Sequence, residues 1–168
     1  MRARPSTSSG VRASRTYGGT GTLPFYPARM VALPDTAREV LEGPHLAHVV
    51  TMNPDGSPQV SCVWVGLDGD DVVFASLGPW RKLRNLERDP RVALSVEAPG
   101  RNAMGMQEYL VLQGTATVQL GGGPELLQEL AHVYLGPDVK FPPMDDPPPG
   151  SVVHITVDSI TGVGPWRD

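Results

Sequence analysis

Cations crowd the start of the segment GPWRKLRNLERDPR (78–91), where Arg81, Lys82 and Arg84 precede Glu87 and Asp89. Read as a short helix, it is charged the wrong way round. The N–H groups of a helix start carry partial positive charge, so each cation there is disfavoured by roughly 0.3 to 1 kcal/mol. Two readings accommodate this. In one, Leu83 and Leu86 pack inward and the cations are solvated, the penalty being screened by salt. In the other, the cations face an anion: a helix start favours phosphate, and hydrogen bonds to charged groups contribute roughly 1.5 to 3 kcal/mol each, so two such contacts outweigh the misplacement.

Other chemistries find little support. No G-x-x-x-x-G-K-[ST] occurs, and the glycines of GGTG, GGG and GVG do not stand between a strand and a helix, which leaves neither a P-loop nor a dinucleotide fingerprint. There is no G-x-S-x-G. His45, His48, His132 and His154 lack the spacing of a zinc site, and Cys62 is the single cysteine, so no metal and no intrachain disulfide are expected. Asp68, Asp70 and Asp71 read as turn residues.

The elements around the basic segment are mostly β. Asp35 before TAREVL reads as the cap of a two-turn helix ending near Gly43 and Pro44. LAHVVTM (46–52) and SPQVSCVWVGL (57–67) flank the turn Asn53-Pro54-Asp55-Gly56, giving a hairpin, and VVFAS (72–76) continues an antiparallel meander. VALSVEA (92–98) and YLVLQGTATV (109–118) are further strands, with Gly114 placed where a barrel strand bends. Pro124 opens and Gly136-Pro137 closes a helix whose inward face is Leu126, Leu127, Leu130, Val133 and Tyr134, with His132 solvated. Residues 152–163 form the last strand. The proline-rich stretch 137–150 is either a surface loop or the border of a binding site. Six strands with small helices imply a closed or nearly closed antiparallel barrel, because closure hides edges that a small open sheet exposes.

Length and composition bound the rest. A chain of 168 residues, 40% apolar and 19% charged, is expected to fold as one domain, over 31–168. No apolar run is long enough to cross a bilayer, so a soluble, cytoplasmic protein is expected and no membrane partner. Residues 1–34 hold five arginines and no acid, which with a total of −4 leaves −9 on the remainder. A uniformly basic surface for nucleic acid is therefore not expected. Segment 1–30, rich in Ser, Gly, Pro and Arg, reads as a disordered tail rather than a secretory signal, and Met30 is a candidate alternative start.

The segments DGSPQVSCVWV (55–65), WRKLRNLERDPRVALSV (80–96), YLVLQGTATV (109–118) and ITGVGPW (160–166) together resemble the split-barrel flavoprotein family. That family includes pyridoxamine 5′-phosphate oxidases and actinobacterial reductases that use the deazaflavin coenzyme F420. The resemblance covers roughly 35–167 and implies a six-stranded antiparallel split β-barrel, working as a homodimer with the cofactor cleft between subunits. It implies that Pro58, Gln59, Val60 and Ser61 line the cofactor ring system, that Ser76, Trp80, Arg81, Lys82 and Asn85 surround its phosphate, and that Gln107, Tyr109 and Trp166 complete the cleft from the partner chain. Barrel packing remains an alternative for the strand residues, and helix entry or solvation for Trp80 and Asn85. The vitamin oxidases end in an Arg- and His-bearing signature, whereas this chain ends TGVGPWRD, and the RNLERDPR form is closer to the deazaflavin branch. The implied activity is hydride transfer from reduced F420 to a small conjugated molecule such as a quinone, an enone or a tetrapyrrole-like compound. An FMN-binding oxidoreductase and a non-catalytic flavin or deazaflavin carrier are the alternatives.

Overall fold

The computed structural model describes residues 30–166; the 1–29 part of the expected tail lies outside them. Three helices, α1 (Asp35–Glu42), α2 (Arg81–Arg88) and α3 (Gly123–Tyr134), accompany seven strands: β1 (Ala47–Met52), β2 (Pro58–Val63), β3 (Gly66–Asp68), β4 (Asp71–Ser76), β5 (Arg91–Arg101), β6 (Gln107–Leu120) and β7 (Ser151–Val163). All strand pairs are antiparallel, in the order β2-β1-β5-β6-β7-β4-β3.

The count of seven corrects the six expected. The run 57–67 breaks at Trp64-Val65, so β2 pairs with β1 at one edge of the sheet while β3 pairs with β4 at the other. Since Val63 and Gly66 are three residues apart, their Cα atoms cannot be separated by more than about 11 Å. The two edges are thus held together and the sheet closes on itself. Tyr134 pins this corner: its hydroxyl accepts from the Val65 N–H at 3.0 Å and donates to the His45 carbonyl at 2.9 Å, while the Trp64 ring stacks on it at 5.3 Å. Burial raises the Tyr134 pKa, keeping the phenol protonated as that donor.

Strand alternation fills the interior. Val49, Leu94, Leu112 and Ile155 point inward with Phe74, all essentially without solvent exposure. Gly114 sits at a register shift between β6 and β7, and a Cβ there would run into the Thr156 carbonyl oxygen. A side chain would therefore push the strands apart at the bend the sequence marked.

The helices cover the barrel with small apolar faces: Ala37, Val40 and Leu41 on α1, Leu83 and Leu86 on α2, Leu130 and Ala131 on α3. Two details differ from expectation. Pro34, not Asp35, occupies the N-cap of α1, and Asp35 lies in the first turn. Val133 is 45% exposed, because α3 leans on the barrel through Leu130 and Ala131. The start of the 137–150 stretch is tied to α3, with Gln128 Nε2 donating to the Val139 carbonyl (2.8 Å) and the Phe141 N–H donating to Gln128 Oε1 (2.9 Å). Among the described residues, no helix is long and apolar enough to cross a membrane.

Candidate functional site

Helix α2 starts with no side-chain cap, its N-cap being Trp80, a residue 62% exposed. At about 100° per residue, Arg81, Arg84 and Arg88 share one side of the helix, with Asn85 at its edge. That side faces the β1–β2 turn across a cleft of about 640 Å³, bordered on the turn by Asn53, Asp55 and Ser57. Lys82 does not line the cleft; it lies about 100° round, next to the buried Leu86.

The cations differ in how they are held. Arg84 donates to the Pro79 carbonyl at 2.7 Å, and Arg88 donates to the Met52 carbonyl and to Asn85 Oδ1. The Arg81 side chain has no hydrogen bond or ion pair with any described residue, and its charge helps lower the pKa of Asp55 across the cleft. The Asp55 carboxylate is engaged by the Ser57 hydroxyl (2.6 Å) and N–H (3.0 Å), which hold its pKa below the ordinary value. Lys82 is half-buried, and burial alone lowers its pKa from the usual 10.5, no described carboxylate lying within ion-pair distance. A desolvated ammonium without a counter-ion is unfavourable in itself and becomes favourable once an anion meets it.

The other site candidates fall into distinct groups. Ser76 is buried at the end of β4, its hydroxyl donating to the Gly78 carbonyl at 3.1 Å. Asn85 is 2% exposed and fully committed: its Nδ2 donates to Thr51 Oγ1 (3.0 Å) and Asn53 Oδ1 (3.2 Å), and its Oδ1 receives Arg88 (3.3 Å). It therefore orients the cleft from behind. Pro58 and the 58%-exposed Val60 point out from β2, whereas Gln59 and Ser61 turn toward the interior. The four cannot all present side chains to one face of a ligand, because strand alternation separates them.

Tyr109, 41% exposed, pairs with Glu97, six residues or about 20 Å along β5 from Arg91. Gln107 is nearby in sequence but donates to the Ala98 and Gly100 carbonyls of its own hairpin. Trp166 is only 6% exposed and belongs to the core of its own barrel, so its ring is not on display for a second subunit. Its Nε1 is buried without a described acceptor.

Two features escaped the sequence reading. Thr51 is fully buried and sits at the centre of a side-chain network; its signal was a polar residue at an inward position of β1. The second is an uncharged outer face. Cross-strand rows Val60–Val50–Ala93–Gln113–Ser159 and Cys62–His48–Ser95–Val111–Thr161 run across β2, β1, β5, β6 and β7 without a carboxylate, ammonium or guanidinium. A cavity of about 420 Å³ opens at the margin of these rows, bordered by Val50, Ala93 and Gln113 and by the charged Arg91 and Asp158.

Comparison with known proteins places this geometry. A search of curated proteins gave no match. Among solved structures, the chain is similar to an F420 reductase at 26% identity, covering 77% of this chain and 98% of that one, with a TM-score of 0.62. It is also similar in fold to a conserved hypothetical protein from Mycobacterium tuberculosis (20% identity, 80% and 86% covered, TM-score 0.60) and to HupZ from Group A Streptococcus (18% identity, 81% and 98% covered, TM-score 0.58). Residues 33–164 match the pyridoxamine 5′-phosphate oxidase family, whose fold binds flavin-type cofactors. The chain belongs to the pyridoxamine 5′-phosphate oxidase family.

Proposed function

We propose that the protein is an F420-dependent reductase, passing a hydride from the reduced deazaflavin to a small conjugated acceptor. The observation that carries this reading is Lys82, half-buried and without a described counter-ion, on the same helix as Arg81, whose side chain has no partner among the described residues. These residues fit an anionic group, and Lys82 with Arg81 would hold the cofactor phosphate. The similarity to an F420 reductase supports the deazaflavin over FMN. When bound, the cofactor supplies the hydride; the protein supplies placement and electrostatics.

The working unit in this reading is a homodimer. Tyr109 stands far along the barrel from the start of β5, so a second subunit would be needed to bring it to the cleft. The uncharged outer face is suited to that contact, since burying unpaired charge is costly.

FMN presents a phosphate to the same cations, and a carrier that turns nothing over would bind equally well. Fluorescence titration of the purified protein with F420 and with FMN separates the cofactors; F420 should bind more tightly. Consumption of reduced F420 with a quinone and enone panel separates enzyme from carrier. Tighter binding of FMN, or no turnover with any acceptor, would overturn the corresponding part of the proposal.

A further inference from the structure

The arginine cleft has two walls of opposite character. On the α2 side, Arg81, Arg84 and Arg88 each carry a full charge, and no described carboxylate lies within ion-pair distance of any of them. Arg84 and Arg88 are held by neutral groups, the Pro79 and Met52 carbonyls and Asn85 Oδ1, which fix the guanidiniums without cancelling their charge. A guanidinium has five N–H donors and no acceptor, so the three can only donate.

The turn side accepts. An ionised carboxylate takes hydrogen bonds and gives none, and the Ser57 hydroxyl (2.6 Å) and N–H (3.0 Å) keep Asp55 in that form. Ser57 gives its one hydroxyl proton to Asp55 while its oxygen takes a hydrogen bond from Asn53 Nδ2 (3.1 Å), so toward a ligand it can only accept. Asn85 Nδ2 on Asn53 Oδ1 (3.2 Å) and Arg88 on the Met52 carbonyl tie the two walls together. Their separation is therefore set before a ligand arrives.

Three guanidiniums and one carboxylate leave the cleft a formal charge of +2. A phosphate monoester, at roughly −1.5 to −2 near pH 7, matches it. A further negative group would have to lie against Asp55. We infer that the cleft binds a phosphate monoester that carries hydroxyl groups, with Asp55 as the specificity-determining residue that accepts from those hydroxyls and disfavours molecules bringing negative charge to both walls. The inference shares with the proposed function only the premise that α2 faces an anion, and it concerns the arginine side of the helix rather than Lys82.

The test titrates the full chain at low salt with ribose 5-phosphate and with pyrophosphate, followed by backbone amide NMR, with melting temperatures checked throughout. Wild type should bind ribose 5-phosphate, with shifts at Asp55 and Ser57 as well as along α2. Asp55→Asn should bind pyrophosphate about two- to fivefold more tightly, the scale of one exposed charge pair, and the gain should fade with added salt. With ribose 5-phosphate it should gain nothing, because relief of repulsion is offset when a charge-assisted hydrogen bond becomes a neutral one. Arg84→Gln should weaken both probes about tenfold, whereas Lys82→Met should change ribose 5-phosphate affinity by about twofold at most. An equal gain for both probes in Asp55→Asn, or a wild type that binds neither, would overturn the inference. So would loss of ribose 5-phosphate binding in Lys82→Met, which would place the phosphate at the lysine. If F420 and FMN both fail to bind while the expected results hold, the proposed function falls and the inference stands.

Discussion

Replacing Lys82 with methionine keeps an unbranched stem of similar length beside Leu86 and removes only the ammonium. In the free protein that ammonium is half-buried and has no described counter-ion, so little stability is attached to it, and removing a desolvated charge relieves a cost. The melting temperature should stay the same or rise slightly. In the complex the ammonium meets the phosphate, a contact of roughly 1.5 to 3 kcal/mol, so affinity should fall about 10- to 150-fold. Cofactor fluorescence measured against protein concentration, at fixed moderate salt, reads the change directly. Equal affinity in variant and wild type would refute the reasoning, as would a large fall in melting temperature, which would show a structural ammonium.

Three further outcomes follow from the same geometry. Burial depresses the Lys82 pKa in the free protein and a bound anion raises it again, so affinity should decline as pH rises through the depressed value, below 10.5; Lys82→Met should lose that part of the pH dependence. Val60→Lys places a charge at the β2 end of the uncharged rows, at a position already 58% exposed, and should yield a folded monomer by sedimentation, whereas an intact dimer would exclude that face as the subunit contact. Removing residues 1–29 should leave solubility and oligomeric state unchanged, and an insoluble product would show that the segment contributes to the fold.

Much of the barrel was legible because its signals are local. Alternation marked the strands, Asn53-Pro54-Asp55-Gly56 marked the first hairpin, and Gly114 marked the bend. The break at Trp64-Val65 was not legible, since SPQVSCVWVGL is uniformly β-forming and only pairing with opposite edges of the sheet divides it. Such pairing is non-local and leaves no trace in the run itself. Likewise, Asp35 carried the chemistry of a cap, but the cap falls one residue earlier, at Pro34, and the helix begins at Asp35 itself.

The site divided in the same way. Misplaced cations on α2 were visible because they conflict with the helix dipole, a local matter. Gln59 and Ser61 were grouped with Pro58 and Val60 by the family resemblance, whereas alternation sends them to the opposite face, toward Thr51 and Asn85. Thr51 looked like one more β-branched residue in LAHVVTM. Its role emerges only when β1, β2 and α2 converge. Trp166, an aromatic near the end of the sequence, gave no sign of whether it faces outward or packs beneath the barrel, and its neighbours in space decide that it packs.

The most direct measurement is a crystal structure of the protein with F420 bound. The cofactor phosphate should lie within about 4 Å of Lys82 Nζ, the range of an ion pair, at the start of α2. A phosphate bound elsewhere, with Lys82 still unpaired, would contradict the account.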